Sequence, residues 1–113
     1  MPEPSRLSLH IHAVDGEATV QCSGKLVAGV TDTLYTEVKQ LIPGSKCIVL
    51  DLTDLSQMDS MGLGTVVRLL VSAKSSGCRL ELVNFNKRIR ELLGITNLLS
   101  VFEVCGEQRM KLP

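Results

Sequence analysis

Aromatic residues are scarce in this sequence of 113 residues: it has no tryptophan, and Tyr35, Phe85 and Phe102 together make up 3%. So few rings cannot build a base-stacking platform. Neither sign of charge is in excess, because 12 Lys and Arg balance 12 Asp and Glu. A neutral chain has no long-range field to draw it to a polyanion or an acidic membrane, so no nucleic-acid partner is expected. No apolar run approaches the ~18 residues needed to span a bilayer. The start, Met1-Pro2-Glu3-Pro4-Ser5-Arg6, lacks the basic and apolar regions of a signal peptide. A cytoplasmic protein with no membrane insertion is therefore expected. The four cysteines, Cys22, Cys47, Cys78 and Cys105, form no C-x-x-C pair, and each falls in or at the end of an apolar segment. They read as small core residues kept reduced, not as zinc ligands or disulfides.

What is present is globular. With 44% hydrophobic and 21% charged residues, the chain is not disordered by composition. Surface scaling at this mass lets roughly two-thirds of its surface be buried on folding. One domain is expected over 1–113, with its core at about 7–105 and loosely held ends at 1–6 and 107–113.

Leu7, Leu9, Ile11 and Ala13 alternate with Ser8, His10 and His12, the period of a half-buried strand. Asp15-Gly16 signals a tight turn. Ala18, Val20 and Cys22 then alternate with Glu17, Thr19, Gln21 and Ser23, which predicts an antiparallel hairpin with both histidines on its wet face, exposed and unliganded. After a loop from Gly24 to Gly29, Thr31 is the expected N-cap of a helix carrying Leu34, Val38, Leu41 and Ile42 inward and stopped by Pro43-Gly44. Cys47-Ile48-Val49-Leu50 is a continuous apolar run, the mark of a central strand, which is expected to end at the polar Asp51. A second helix is predicted over 61–76, with Leu63, Val66, Val67, Leu70 and Val71 at helical spacing and Gly77 as its stop. A strand at Arg79–Val83, a third helix from Lys87 to Leu93 closed by Gly94, and a last strand at Val101–Val104 complete the pattern. The order strand, strand, helix, strand, helix, strand, helix, strand predicts an α/β fold. Its small mixed sheet, mostly parallel with an N-terminal antiparallel hairpin, packs against helices.

In open α/β sheets, sites collect where strand ends meet helix starts, and here that means Asp51 to Gly64. Either Asp59 or Ser60 caps the second helix; if Asp59 does, Met58 and Leu63 form a hydrophobic staple. In both cases Ser60 stands beside free backbone N–H groups and the positive end of the helix dipole, which favours a phosphate. Catalytic patterns fail in the same segment. Gly62-x-Gly64-x-x-Val67 lacks the third glycine of a dinucleotide fingerprint, and no Gly-Lys-Ser/Thr is present for a phosphate-binding loop. Asp51 lacks the acidic pair of a receiver-type phosphoacceptor, and Met58-Asp59-Ser60-Met61-Gly62 is not the Gly-x-Ser-x-Gly of a serine hydrolase. No catalytic residue, cofactor or metal is expected.

Ile48-Val49-Leu50-Asp51-Leu52, followed by Met58-Asp59-Ser60-Met61-Gly62-Leu63-Gly64, resembles the central signature of the STAS domain, the family of bacterial anti-sigma factor antagonists. The resemblance extends through Gly77 to Ile89-Arg90-Glu91-Leu92-Leu93-Gly94-Ile95. It implies a phosphoprotein acting in transcription regulation through protein–protein contact, with no enzymatic activity. By match to the family's Asp-Ser-x-Gly motif, Ser60 is the phosphorylated serine and an anti-sigma factor that doubles as a serine kinase is the partner. Dephosphorylated, such an antagonist binds the anti-sigma factor and frees a sigma factor; a serine phosphatase acting on phosphorylated Ser60 restores that state. The pattern departs at two places: Gly24-Lys25-Leu26-Val27 lacks the aspartate many antagonists carry there, and Met61 stands where a small residue is usual. The alternative implied is a STAS subunit, not phosphorylated, that binds a transporter or a signalling scaffold. The expected partner-binding residues are Asp59, Ser60, Met61 and Gly62, with Thr65, Arg68 and Ser72 on the exposed side of the second helix, opposite Leu63, Val66, Val67 and Leu70.

Overall fold

The computed structural model describes residues 7–95, 103–104 and 109–111. The opening hairpin forms as the alternation predicts: β1 (Ser8–Val14) pairs antiparallel with β2 (Glu17–Leu26). Asp15 and Gly16 both adopt positive φ, 51° and 82°, as a two-residue turn matched to strand twist requires. Ala18, Val20 and Cys22 are buried, whereas Ile11 and Ala13, paired beside Val20 and Ala18, remain exposed at the rim. Contrary to expectation, β2 does not give way to a loop at Gly24; it continues to Leu26.

A turn closed by the Val30 N–H on the Val27 carbonyl, 3.2 Å, with Gly29 at φ +96°, leads into α1 (Thr31–Leu41). Because the turn ends at Val30, the cap position falls on that residue and Thr31 is already helical, so Thr31 is not the N-cap and no side chain caps this helix. Leu34, Val38 and Ile42 are buried, and Pro43-Gly44 ends the helix in one 3-10 turn, Ile42–Gly44.

The central strand, β3 (Cys47–Met58), runs past Asp51 for seven more residues. It pairs in parallel with β2 on one side and with β4 (Arg79–Val83) on the other. Two register shifts, between Gln21 and Ser23 and between Gly24 and Lys25, each place one extra residue on β3 opposite β2. These are β-bulges. They change the burial rhythm of β3, so that Leu52, Leu55 and Met58 point inward at every third position.

Next comes α2 (Ser60–Ser75), which ends in a Schellman turn. The Cys78 N–H reaches the Ala73 carbonyl at 2.9 Å, the Gly77 N–H reaches that of Lys74 at 3.2 Å, and Gly77 supplies φ +72°. Then α3 (Lys87–Ile95) is capped by Asn86, whose Oδ1 accepts the Ile89 N–H at 2.9 Å; the helix runs through Gly94, which therefore does not close it. The backbone also forms β5 (Glu103–Val104) and β6 (Arg109–Lys111). Of the expected last strand, 101–102 lie outside the described residues. Four residues separate β5 from β6, too few for a crossover, so the pair must be antiparallel. The sheet order is β1-β2-β3-β4-β6-β5, with β6 antiparallel to both neighbours. This is a mixed α/β sheet, parallel at its centre, and residues 109–111 belong to it.

The core is one cluster: Ala18, Val20 and Cys22 from β2, Ile48, Leu50 and Leu52 from β3, Leu80 and Leu82 from β4, and the apolar faces of the helices. Cys22 and Cys78 are buried and Cys47 is half-buried, all as free thiols. Burial, with Asp51 nearby, pushes the Cys22 thiol up to about 12; burial and Glu81 push Cys47 up to about 11. Such thiols stay protonated and unreactive at neutral pH. Cys105 lies outside the described residues.

Candidate functional site

Asp59 is the N-cap of α2, which resolves the choice between it and Ser60. Its Oδ1 accepts the Gly62 N–H at 2.9 Å, while its Oδ2 accepts the Ala28 N–H at 3.0 Å from the turn after β2. One carboxylate therefore satisfies a helix amide and fastens the turn between β2 and α1 to the start of α2. Its own N–H donates to the Leu26 carbonyl at 3.3 Å. The bonds from Gly62 and Ala28 favour the charged form and hold the Asp59 carboxyl below its ordinary range. Met58 is buried at the position before the cap, and Leu63 is buried in the first turn, the two places of a hydrophobic staple.

With Asp59 in that role, Ser60 is the first helical residue. It is exposed, and its hydroxyl makes no hydrogen bond among the described residues. Met61 beside it is 58% exposed. Gly62 is buried, contrary to the expectation that it lies on the partner surface. A Cβ there would collide with the Leu26 carbonyl oxygen, so the glycine serves the approach of α2 to the end of β2. At Gly64, in contrast, an added Cβ would meet nothing within 4 Å.

The outer side of α2 also differs from expectation. Thr65 is buried, with 4% exposure, and its hydroxyl donates to the Met61 carbonyl at 3.1 Å. Ser72 is half-buried and accepts a hydrogen bond from Lys39 Nζ of α1 at 3.0 Å. That side of α2 packs toward α1. Arg68 is exposed as expected, and its guanidinium lies 4.1 Å from the centre of the Tyr35 ring, a cation–π stack across the two helices. Burial alone would raise the Tyr35 phenol, but Lys39, Ser72 and Arg68 outweigh it and hold the pKa below its usual value. Val71, read from the sequence as inward, is 60% exposed. The exposed stripe of α2 is therefore Met61, Gly64, Arg68 and Val71, starting one residue after Ser60. Val71 stands outside the buried face of α2, which Leu63, Thr65, Val66, Leu69, Leu70 and Ala73 form.

Asp51 is not a strand end. It accepts bonds from the Thr53 hydroxyl at 2.6 Å, the Thr53 N–H at 3.0 Å and Asn84 at 3.3 Å. Burial raises its pKa, but these bonds outweigh it, so the group is held low and charged. Those partners occupy it in joining the bulge to β4. His10 and His12 are exposed on β1. Among the described residues no three metal-ligating side chains converge, and no helix is long and apolar enough to cross a membrane.

The chain belongs to the STAS domain family, whose sequence pattern matches residues 8–109. A relative from Thermotoga neapolitana, described as a candidate anti-sigma factor antagonist, is 38% identical over 61 residues, which cover 54% of each chain. The chain thus spans about half the length of the curated relatives it matches. A solved structure of a candidate antagonist from Thermotoga maritima superposes with a TM-score of 0.76 at 27% identity, covering 82% of this chain and 81% of that one. The Bacillus cell fate determinant SpoIIAA in its phosphorylated form shares the fold, with a TM-score of 0.67 at 19% identity over 80% and 85% of the two chains.

Proposed function

We propose that this protein is an anti-sigma factor antagonist switched by phosphorylation at Ser60. Dephosphorylated, it binds an anti-sigma factor that is also a serine kinase and so releases a sigma factor in the cytoplasm; a serine phosphatase resets it. One observation carries the reading: Ser60 stands exposed and unbonded at the start of α2 because Asp59 performs the capping. Modification of the hydroxyl therefore breaks no internal bond. A phosphate there brings about −1.5 to −2 charges beside the Asp59 carboxylate, at a helix end whose dipole stabilises an anion in the free protein. The same charge must be stripped of water when a partner covers it, which opposes binding. The domain acts as a binding module, and its partner seats on Ser60 and the stripe of Met61, Gly64, Arg68 and Val71. Exposed Met61 adapts in shape to what it meets.

The test is to capture the partner from the native cell on the Ser60→Ala variant, then incubate it with ATP and the parent protein. A mass gain of one phosphate on the parent, with none on Ser60→Ala, is expected. Ser60→Asp should bind the captured kinase about 2 kcal/mol more weakly, some thirtyfold, and Arg68→Glu should also bind more weakly while remaining folded. Recovery of a transporter polypeptide with no ATP-dependent mass gain would favour the unphosphorylated-subunit reading and end this one.

A further inference from the structure

We propose that β1 is a self-association edge, through which two copies of this chain pair antiparallel about Ile11. β1 lies at one end of the sheet with no neighbour beyond it among the described residues. Exposed edges of this kind are normally blunted by lysine, proline, a bulge or short length. β1 uses none of these devices: its seven residues, Ser-Leu-His-Ile-His-Ala-Val, include no Lys, Arg, Asp, Glu, Pro or Gly, and its pairing with β2 runs without a register shift. The opposite edge strand, β5, has two residues.

The hairpin fixes which backbone groups are open. In a two-residue turn the closing pair, here Val14 and Glu17, exchanges hydrogen bonds. By alternation Val14, His12, His10 and Ser8 bond to β2, and the N–H and C=O of Leu9, Ile11 and Ala13 face outward. Those residues also carry the apolar side chains of the rim. Ile11 is 38% exposed and Ala13 is exposed, although they pair beside the buried Val20 and Ala18.

The occupant is a second copy because the strand is self-complementary. With Ile11 opposite Ile11 of the second copy, Leu9 falls opposite Ala13 of the second copy, and every outward N–H meets an outward C=O. The apolar rims then cover one another. On the other face the His-Ile-His symmetry sets His10 across from His12 of the second copy, at a non-hydrogen-bonded pair whose Cα atoms are about 4.5 Å apart. The imidazoles of both copies thus gather on one face, a donor set suited to zinc. No charged side chain of β1 opposes the pairing. The contact is small, so the dimer is reversible and depends on concentration.

Sedimentation of the whole chain over a wide concentration range tests this. The parent should pass from monomer to dimer, and zinc chloride should tighten the dimer roughly tenfold by binding only the paired state. Ile11→Lys sets like charges face to face and should weaken the dimer roughly tenfold or more. Ile11→Pro removes an outward N–H that the monomer does not use, and should weaken it likewise. Unchanged circular dichroism would show that these variants fold. His10→Gln should still dimerise but lose the zinc effect. A parent that stays monomeric with zinc present, a dimer that survives both Ile11 substitutions, or a zinc effect retained by His10→Gln would each overturn the proposal.

Discussion

Replacing Asp59 by alanine removes two acceptors at once, the cap on Gly62 and the tie to Ala28. Loss of a side-chain cap costs about 1 kcal/mol, and the second bond, between an exposed carboxylate and an exposed amide, adds about 1 kcal/mol after solvent screening. For 113 residues the unfolding entropy is about 0.24 kcal/mol per kelvin. Asp59→Ala should therefore lower the melting temperature by roughly 8 °C. Asp59→Asn separates the two bonds. Its amide oxygen can still accept from Gly62, but its NH2 group then faces the Ala28 N–H, donor against donor, so about half of the loss should remain. The sign of the pH dependence follows from the lowered pKa of Asp59. A carboxyl with a depressed native pKa stabilises fully above its unfolded value of about 3.9, and that contribution is lost as pH falls through the native pKa. The gap between parent and Asp59→Ala should stay constant from neutral pH to about pH 5 and narrow below about pH 4. Melts followed by circular dichroism read both effects. Equal losses for Asn and Ala would remove the Ala28 tie from the argument, and a gap undiminished at low pH would refute the role of the charge.

Gly62→Ala and Gly64→Ala should act in opposite directions in the same melts. The first forces α2 away from the Leu26 carbonyl and should cost about 2 kcal/mol or more, whereas the second fills open space in a helix and should stabilise by up to about 1 kcal/mol. Ser60→Ala should leave stability nearly unchanged because Asp59 is the cap, and Ser60→Asp should raise it by about 0.3–1 kcal/mol through the helix dipole; a large loss for Ser60→Ala would mean that the hydroxyl does structural work. Asn86→Ala should cost about 1 kcal/mol, because its Oδ1 caps α3 while its Nδ2 donates to the Leu55 carbonyl at 3.2 Å, and denaturant titration reads the difference.

Elements that obey one periodicity were legible from sequence. The β1–β2 hairpin with its Asp15-Gly16 turn, β4 at Arg79–Val83 and the Gly77 stop all appear where the pattern places them, although only β2 keeps the expected alternation of burial and Ile11 and Ala13 of β1 are exposed. The end of β3 was not legible, because the two bulges turn a two-residue rhythm into a three-residue one, and Leu52, Leu55 and Met58 then match neither strand nor helix. At the site, local chemistry reached Asp59 and Ser60 but could not choose between them as caps. In the structure the Asp59 carboxylate takes the Gly62 N–H as the cap and, with its other oxygen, the amide of Ala28, 31 residues away in sequence, a contact that no local pattern shows. Thr65 and Ser72 were misread for a related reason. A helical wheel shows which residues share a side, and only the position of α1 decides whether that side is wet.

The bulges of β3 also give that strand slack in length. Deleting one residue between Leu52 and Gln57 can be absorbed by removing a bulge, which returns the strand to regular pairing with β2. The same deletion between Ile48 and Asp51 has nothing to absorb it, since that stretch is locked in register to both β2 and β4; removing Val49, for example, would turn either Ile48 or Leu50 to the wrong face. A deletion is therefore absorbed between Leu52 and Gln57 but not at the centre of the sheet, and because Gln57 and Met58 keep their pairing with β2, the start of α2 stays where Asp59 and Gly62 hold it against the end of that strand.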